Sequence, residues 1–324
     1  MVDAGGGIRR RGDAGRPRQR CEPRLGARDR AAEGDAGGER FVTNRAGSAL
    51  WRKRSRRFRS GLLALLVGVV FAFPFYWVVV TSLNSSNSVF QFPPNFLPGG
   101  VVGNYGHAWH EASWVRYFLN TVLIAGSTVA LVLVTSLLAG FALGVMRFRG
   151  REIAFFLILS ILMIPKVVLL IPDYIVLKEL HWLDTYWAQI IPWGASVFGI
   201  FLLRQFFGAL PPELIEAAEL DGASQLQFLR TIAAPLARPA LITIGLYIFI
   251  GSWNSFLWPF IMTSSPSVQP IEVGLSTFFG TNGTDWPGLS AAVVFTTLPI
   301  MIVFMLSQRR LVAGASATTG AMKG

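Results

Sequence analysis

The chain has 324 residues, of which 52% are hydrophobic and only 15% are charged, whereas about 25% are charged in an ordinary soluble domain. Its mean hydropathy is +0.48. A water-soluble fold of this length does not need so much apolar surface, which argues against a soluble enzyme. The single cysteine, Cys21, excludes disulfides within the chain, and the three histidines are too scattered to predict a metal site: His107, His110 and His181.

The positive charge is concentrated at the N-terminus. Residues 1–60 hold 17 of the 29 Lys and Arg residues but 7 of the 18 acidic residues, so the rest of the chain is close to neutral. Residues 1–50 are rich in Gly, Arg, Ala and Asp, and we expect a disordered basic tail there, ahead of a membrane domain over residues 51–324. Because aromatic residues do not alternate with the arginines, we expect this tail to be attracted to membrane lipid and not to nucleic acid.

An apolar segment over residues 61–80 directly follows the basic run at residues 51–59. Twenty helical residues span about 30 Å, the thickness of the hydrocarbon core of a bilayer. The segment is longer than the apolar part of a signal peptide and no A-x-A cleavage site follows it, so we interpret it as an uncleaved first membrane helix. Five further apolar stretches predict an all-α, polytopic membrane protein with six transmembrane helices, the others lying at about 118–145, 153–177, 186–207, 238–262 and 288–308.

Prolines occur inside several of these predicted helices. Each removes a backbone donor and crowds the preceding turn, so the helices should be kinked or broken at these positions. The prolines concerned are Pro74, Pro165, Pro172, Pro192, Pro259 and Pro299.

The placement of charge predicts the orientation in the membrane. If the N-terminus is cytoplasmic, the predicted external loops hold only two basic residues, Arg116 and Lys178. The cytoplasmic segments and the membrane edges hold the other basic residues outside the tail, among them Arg147, Arg149, Arg151, Arg204, Arg230, Arg238, Arg309 and Arg310. This bias agrees with the positive-inside rule. We therefore expect a multi-pass protein of the plasma membrane with both termini in the cytoplasm.

The loop between the fourth and fifth predicted helices, residues 209–239, has the local signals of a helix–turn–helix outside the membrane. The signals are Pro212 in a first helical turn, Gly222 as a left-handed stop, Ser224 and Gln227 as a capping box for a second helix, and Pro235 as its end. Such a loop is too long and too structured to be a simple connector.

The first helix of this loop has a distinctive surface. Leu214, Ala218 and Gly222 recur at four-residue spacing and share one small apolar face. Acidic residues surround that face: Glu213, Glu216, Glu219 and Asp221. A short helix of this kind suits insertion into a groove of a partner protein. Acid–base catalysis by Glu216 and Asp221 is disfavoured because both are expected at the surface, and we predict no catalytic residues.

The run EAAELDGASQLQFLRTIAAP resembles the signature loop of bacterial ABC importer permeases, EAA-x3-G-x9-I-x-L-P. Ala234 stands where the usual Leu would be, and the matching positions are Glu216, Ala217, Ala218, Gly222, Ile232 and Pro235. The runs FLNT, MIP, DGAS and SWNSFLWP, beginning at residues 118, 163, 221 and 252, are similar to the carbohydrate-uptake branch that includes maltose and glycerol-phosphate permeases. The resemblance covers about residues 58–324.

The resemblance implies the membrane subunit of a binding-protein-dependent importer of a sugar or sugar-like solute. The implied partners are a second permease subunit, a dimer of ATPase subunits and an extracytoplasmic solute-binding protein. ATP and Mg²⁺ would be bound by the ATPase, which fits the absence of a G-x4-G-K-[ST] motif from this sequence, and the chain would need no cofactor of its own. The implied ATPase-coupling residues are Glu213, Leu214, Glu216, Ala217, Ala218, Asp221, Gly222 and Pro235.

Two polar positions in the predicted membrane helices are candidates for the solute pathway. A charged residue such as Lys166 is energetically unfavourable inside a membrane, so we expect its charge to be compensated. The three alternatives are contact with the solute, an ion pair with Asp173 and a contact with the second permease subunit. Asn254 either hydrogen-bonds solute or joins helices, and Trp253 and Ser255 flank it as further candidates.

Two other classes of protein compete with this interpretation. A stand-alone secondary transporter should have two related halves and paired intramembrane acids, neither of which is evident. A membrane-bound enzyme should have a cluster of histidines or acids at one membrane face, and the sequence suggests none.

Overall fold

A computed structural model of the chain describes residues 39–280 and 283–321. The chain divides into two compact units, residues 1–69 and 70–324. Helix α1, Glu39–Ser82, begins within the segment that the sequence assigned to the disordered tail. Residues 39–50 contain no proline, which is compatible with their helical conformation. The rest of the predicted tail lies outside the described residues, and its disorder stays a prediction.

The described part of the second unit is almost entirely helical. After α1 the α-helices are α2 (Ser86–Val89), α3 (Gly103–Glu111), α4 (Trp114–Gly144), α5 (Arg151–Ser160), α6 (Leu170–Glu179), α7 (Tyr186–Ile190), α8 (Val197–Gly208), α9 (Pro212–Leu220), α10 (Gln225–Phe228), α11 (Ala234–Leu236), α12 (Arg238–Trp253), α13 (Leu257–Met262), α14 (Ile271–Gly274) and α15 (Trp286–Ala321). Single 3₁₀ turns are Ile161–Met163, Lys166–Leu169, Ile191–Trp193 and Leu275–Phe278, and a π-helical turn is Leu229–Ala233. Strands β1 (Phe279–Gly280) and β2 (Gly283–Thr284) pair antiparallel, with Phe279 opposite Thr284.

The described residues contain up to six segments that are long and apolar enough to cross a membrane. Four are single spans: Gly61–Ser82, Trp114–Gly144, Tyr186–Gly208 and Trp286–Val303. Two are bent pairs: Arg151–Met163 with Lys166–Glu179, bent by 90°, and Gln225–Leu236 with Arg238–Trp253, bent by 77°. The prediction of an all-α, polytopic membrane protein is confirmed.

The prolines differ in their effect. Pro165 lies at the 90° break, and Pro192 lies in the 3₁₀ turn between α7 and α8, as expected for residues without a backbone donor. Pro172 and Pro259 lie in the first turns of α6 and α13, where no donor is needed, a few residues after breaks in the predicted helices. Pro74 and Pro299 lie inside the continuous helices α1 and α15, so no break occurs at these two positions.

The fifth and sixth predicted helices have different bounds in the structure. The segment predicted as 238–262 is divided, because α12 ends at Trp253 and α13 begins at Leu257. Asn254 forms the end of α12, since its side-chain amide donates a hydrogen bond to the carbonyl oxygen of Ile250 at 2.8 Å. Helix α15 continues to Ala321, past the predicted end at residue 308.

Helices α4 and α8 form the centre of the second unit through close backbone packing. A Cβ atom at Gly140 would lie 2.6 Å from the Cβ atom of Leu203, so the two helices could not approach this closely with any larger residue there. Around this contact lies a core of buried residues that also includes Val132, Phe207 and Ile244. This core supports the loop that contains α9.

A second core lies at the other end of α4. Trp114 is 1% exposed, and its indole nitrogen donates a 2.7 Å hydrogen bond to the carbonyl oxygen of Ala108 in α3. Its ring meets that of Phe295 edge-on, with centroids 4.9 Å apart. The same core buries Ile271 and Phe278, so the segment between α13 and α15 is held against α4.

Candidate coupling loop and solute cavity

The helix–turn–helix predicted between the fourth and fifth spans is present. Helix α9 has Pro212 in its first turn, and Gly222 follows it with φ +73°, a left-handed conformation that favours glycine. The side chain of Ser224 accepts a hydrogen bond from the backbone nitrogen of Gln227 at 3.2 Å and so caps α10. These local signals were sufficient to predict this part of the backbone.

The second helix of the loop ends at Leu236, one residue after the predicted end at Pro235. Pro235 lies in the first turn of α11, directly after the π-helical turn Leu229–Ala233, and the helical segment continues to Leu236. The chain then bends into α12, and Pro235 itself is half-buried.

Ala218 faces the protein's own core. It is 7% exposed and belongs to the same buried cluster as Phe141, Phe207 and Phe228. The ring centroid of Phe141 lies 5.7 Å from that of Phe207 and 6.1 Å from that of Phe228. The expectation that Ala218 forms part of an outward docking face is therefore wrong, because this small side chain lets α9 lie close to the aromatic residues beneath it.

The outer surface of α9 is acidic and carries one prominent apolar side chain. Leu220 is 89% exposed, and Leu214 is 38% exposed. Leu220 is not among the predicted contact residues, because it lies off the four-residue repeat of the predicted face. The acidic residues of the loop, together with Ala217, are exposed, and none of these acids forms an ion pair with another residue in the described ranges: Glu213, Glu216, Glu219 and Asp221.

A cavity of about 880 Å³ lies among the membrane-spanning helices of the second unit. Its walls combine aromatic and aliphatic side chains with a few polar groups, a composition typical of small-molecule sites. The charged residues that line it are Lys166 and Asp173, and its aromatic lining comes from Trp193, Phe198, Tyr247 and Trp258.

Lys166 is the charged residue whose environment is best defined. It begins the 3₁₀ turn after Pro165, and its Nζ atom lies 4.7 Å from the ring centroid of Trp193. A cation over an indole ring is stabilised by the ring quadrupole. Within the described ranges no ion pair joins Lys166 to Asp173, so the Lys–Asp alternative is not realised in this structure.

The other candidates for the solute pathway separate into two groups. Ser255 lines the cavity. Trp253 does not, because it is 3% exposed and packs against Phe249, with ring centroids 5.5 Å apart. The side chain of Asn254 is used at the end of α12 and lies outside the cavity lining, so its structural role is the one that the geometry supports.

Two polar side chains that sequence analysis did not select also line the cavity. Thr128 and Gln189 are 3% and 2% exposed, and the Thr128 hydroxyl and the Gln189 Oε1 atom have no hydrogen-bond partner among the described residues. The amide nitrogen of Gln189 donates to the carbonyl oxygen of Val268 at 2.9 Å. A polar residue within an apolar helix is the signal that could have identified both.

A bundle of apolar helices that encloses a partly polar cavity and presents a structured acidic loop defines a membrane subunit of a transport system. Residues 110–316 match the family described as "Binding-protein-dependent transport system inner membrane component", and the chain belongs to that family. It is thus a multi-pass permease subunit of the ABC importer class, and not an enzyme in itself.

Individual relatives are similar over most of their length. The sn-glycerol-3-phosphate transport system permease protein UgpE of Yersinia pestis bv. Antiqua (strain Antiqua) is 34% identical over 262 residues, which cover 78% of this chain and 93% of that protein. The arabinooligosaccharides transport system permease protein AraQ of Bacillus subtilis (strain 168) is 30% identical over 267 residues, covering 81% and 94% respectively.

A solved structure has the same fold. A chain of a bacterial ABC transporter involved in the import of the acidic polysaccharide alginate superposes with a TM-score of 0.68 and 26% identity, over 79% of this chain and 97% of that one. A chain of a bacterial alginate ABC transporter, solved in complex with an alginate pentasaccharide-bound periplasmic protein, has a TM-score of 0.57 and 16% identity, over 81% and 98% of the two chains.

Proposed function

We propose that the chain is one half of a membrane channel that imports a sugar or sugar-like solute with energy from ATP. Its proposed partners are a second permease subunit, an ATPase dimer and an extracytoplasmic solute-binding protein. The similarity to permeases named for glycerol phosphate, arabinooligosaccharides and alginate supports the solute class. The cavity among the spans is the observation on which the proposed pathway rests.

The composition of the cavity suits such a solute. Sugars present apolar C–H faces and polar hydroxyl edges, so a site for them combines flat aromatic surfaces with a few hydrogen-bonding groups. Trp193 and Tyr247 provide the aromatic surfaces, and Ser255 and Lys166 provide polar groups. The ammonium group of Lys166 is suited to an anionic substituent such as a phosphate or a carboxylate.

The exposed surface of α9 is the proposed contact with the ATPase. Its acidic residues are free of ion pairs with other described residues, and Leu220 supplies an apolar anchor of the kind that enters a groove on a partner. ATP and Mg²⁺ would be bound by the ATPase. Since α9 contacts the core through Ala218, a movement of this helix reaches α4 and α8, and nucleotide state and access state would be coupled reciprocally.

We also propose that both termini lie in the cytoplasm of a cell whose plasma membrane contains the protein. Charge is distributed unevenly between the two sides: Arg147 and Arg149 lie between the second and third spans and Arg151 begins the third, whereas Arg116 and Lys178 lie in the first turn of α4 and the last turn of α6, at the opposite ends of these spans. In this orientation α9 faces the ATP-containing compartment.

The proposal is tested by reconstitution of the complex that copurifies with the chain from its native membrane. Proteoliposomes containing ATP should accumulate at least one of three labelled solutes, sn-glycerol 3-phosphate, an arabinooligosaccharide or an alginate oligosaccharide, when its binding protein is added outside. Accumulation that continues without ATP or without any copurified ATPase would overturn the proposal.

A substitution at Leu220 tests the docking surface directly. Leu220→Asp should reduce copurification of the ATPase about tenfold or more, because an exposed apolar anchor is replaced by a charge beside existing acids. Leu97→Asp is the matched control, since Leu97 is also highly exposed, at 70%, but lies in the loop after the first span. Equal recovery of ATPase with both variants would contradict the assignment of α9.

A further inference from the structure

The turn between α4 and α5 lies at a boundary of the bilayer whichever way the chain is inserted. The candidate span Trp114–Gly144 ends before it, and the candidate span that begins at Arg151 follows it. Gly150, with φ +84°, provides the left-handed conformation that lets the chain reverse direction in so few residues. The two candidate spans on either side thus place the side chains of this turn at or just outside the lipid headgroups.

This segment, residues 146–153, which we term the arginine turn, carries an excess of positive charge. Arg147 and Arg149 are exposed and form no ion pair with any residue that the structure describes. The one carboxylate of the turn, Glu152, is already shared, because Arg151 Nη2 lies 3.1 Å from its Oε1 atom and Arg204 Nη2 lies 2.7 Å from its Oε2 atom. Two guanidinium groups thus remain available for an external anion.

The arginine turn also lines an open cavity of about 720 Å³, with Phe148 and Ile153 beside the arginines. Phe148 is 46% exposed and Ile153 is 68% exposed. Helix α5 continues this apolar surface with Phe156, which is 70% exposed. A region that is cationic at the bilayer boundary and apolar along the adjoining helix is complementary to an amphiphile with an anionic head.

We propose that the arginine turn is a binding site for an anionic phospholipid. Arg147 and Arg149 would hold the phosphate through charge-assisted hydrogen bonds, and the acyl chains would lie along the exposed face of α5. The arginines directly precede α5, whose exposed Ile153 and Phe156 lie within a candidate span, so one phospholipid can contact both regions with its headgroup and its acyl chains, whereas an acidic protein surface would contact the arginines alone. This site depends on the chain being a membrane protein and not on the solute or the ATPase.

The test is a titration of the complete detergent-solubilised complex with phosphatidylglycerol and with phosphatidylcholine, read by native mass spectrometry. The double variant Arg147→Gln/Arg149→Gln should bind phosphatidylglycerol with an affinity that is lower by about fivefold for each arginine removed. The affinity of the native protein for this lipid should fall as the salt concentration is raised. The matched control Arg116→Gln/Lys178→Gln removes the same charge from the first turn of α4 and the last turn of α6, at the opposite ends of these spans, and should bind phosphatidylglycerol as the native protein does. Unfolding midpoints measured by tryptophan fluorescence verify that both variants are folded.

Three results would overturn the proposal. The first is equal retention of the two lipids by native protein. The second is displacement of phosphatidylglycerol by low millimolar inorganic phosphate, which would identify a site for the free anion. The third is unchanged phosphatidylglycerol binding in the arginine double variant together with loss of the copurifying ATPase, which would assign these arginines to a protein contact.

Discussion

The side-chain amide of Asn120 donates a 2.8 Å hydrogen bond to the carbonyl oxygen of Gln269, so the first turns of α4 hold a segment that lies far away in the sequence. The same amide donates to the carbonyl oxygen of Ser267 at 3.0 Å, and its oxygen accepts from the Tyr186 hydroxyl at 2.8 Å. The next residue, Thr121, accepts from the backbone nitrogen of Ile271 at 2.8 Å. The FLNT run therefore anchors the loop before α14 to the second span.

Replacing Asn120 by leucine should destabilise the protein by about 1–3 kcal/mol, because carbonyl groups and a hydroxyl that are now paired would lose their partners. Asn120 is 4% exposed, so water cannot readily take its place. The measurement is the thermal unfolding midpoint followed by the fluorescence of the ten tryptophans. Asn87→Leu, at an exposed position, is the control, and an equal midpoint for the two variants would contradict this role.

Asp184 makes stability depend on pH. Burial raises the pKa of its carboxyl, but hydrogen bonds from the hydroxyl and backbone nitrogen of Ser265 and from the backbone nitrogen of Ser264 outweigh burial, so the pKa is lowered overall. A lowered pKa in the folded state stabilises the protein above the ordinary pKa of 3.8, and this contribution is lost as pH falls through the lower folded value.

Asp184→Asn should therefore lower the unfolding midpoint at pH 7, and the difference from native protein should shrink as the pH falls below about 4. Glu111→Gln removes an exposed acid that forms no ion pair with other described residues, and is the control. Unfolding curves between pH 3 and pH 7 provide the measurement. A difference between Asp184→Asn and native protein that stays constant over this range would show that the hydrogen bonds do not stabilise the ionised carboxylate.

The contrast between the turn that follows α9 and the faces of α9 itself shows what the sequence could predict. The stop at Gly222 and the cap at Ser224 depend on a residue's own backbone preference, so they were predictable locally. Periodicity assigned Ala218 to a face, but not to the inward side of the loop, because that depends on Phe141 and Phe228, which lie elsewhere in the chain. Leu220 was missed because it lies off the four-residue repeat that defined the predicted face.

The cavity shows the same limit of prediction from sequence, here for contacts between different spans. The position of Pro165 predicted the break in the third span. Lys166 was recognisable as a candidate because a charged residue is unusual within an apolar segment. The contact of Lys166 with Trp193 joins two different spans, and the sequence pattern has no signal for which spans are neighbours. Asn254 was a candidate because a polar side chain in an apolar helix can hydrogen-bond a solute. In the structure its amide instead donates to the carbonyl oxygen of Ile250 at the end of its own helix.

Lys166→Met should raise the KM for an anionic solute by at least about tenfold, because a hydrogen bond to a charged group contributes about 1.5–3 kcal/mol. Lys166→Arg should restore part of the affinity, since it retains a cation over Trp193. The measurement is the initial rate of ATP-dependent uptake of sn-glycerol 3-phosphate or alginate oligosaccharide, whichever is transported. Lys178→Met, which removes a lysine outside the cavity lining, is the control, and the same KM for both methionine variants would exclude a solute contact at Lys166.

Gly222 offers a test of coupling that leaves membrane insertion intact. A Cβ atom there would meet nothing within 4 Å, so a substitution perturbs backbone conformation and the outer surface and not the core. Asparagine tolerates the φ of +73°, so Gly222→Asn should retain most transport. Tryptophan adds both backbone strain and bulk beside the acidic surface, so Gly222→Trp should insert normally but lose most ATP-dependent uptake.

Uptake and ATP hydrolysis measured on the same proteoliposomes distinguish the outcomes for the two Gly222 variants. If α9 transmits nucleotide state through Ala218 to α4, Gly222→Trp should abolish the stimulation of hydrolysis by the solute-loaded binding protein, since coupling acts in both directions. Native uptake by Gly222→Trp would mean that this surface does not dock. Equal loss in Gly222→Asn and Gly222→Trp would instead attribute the defect to the turn conformation, because the two side chains differ greatly in bulk.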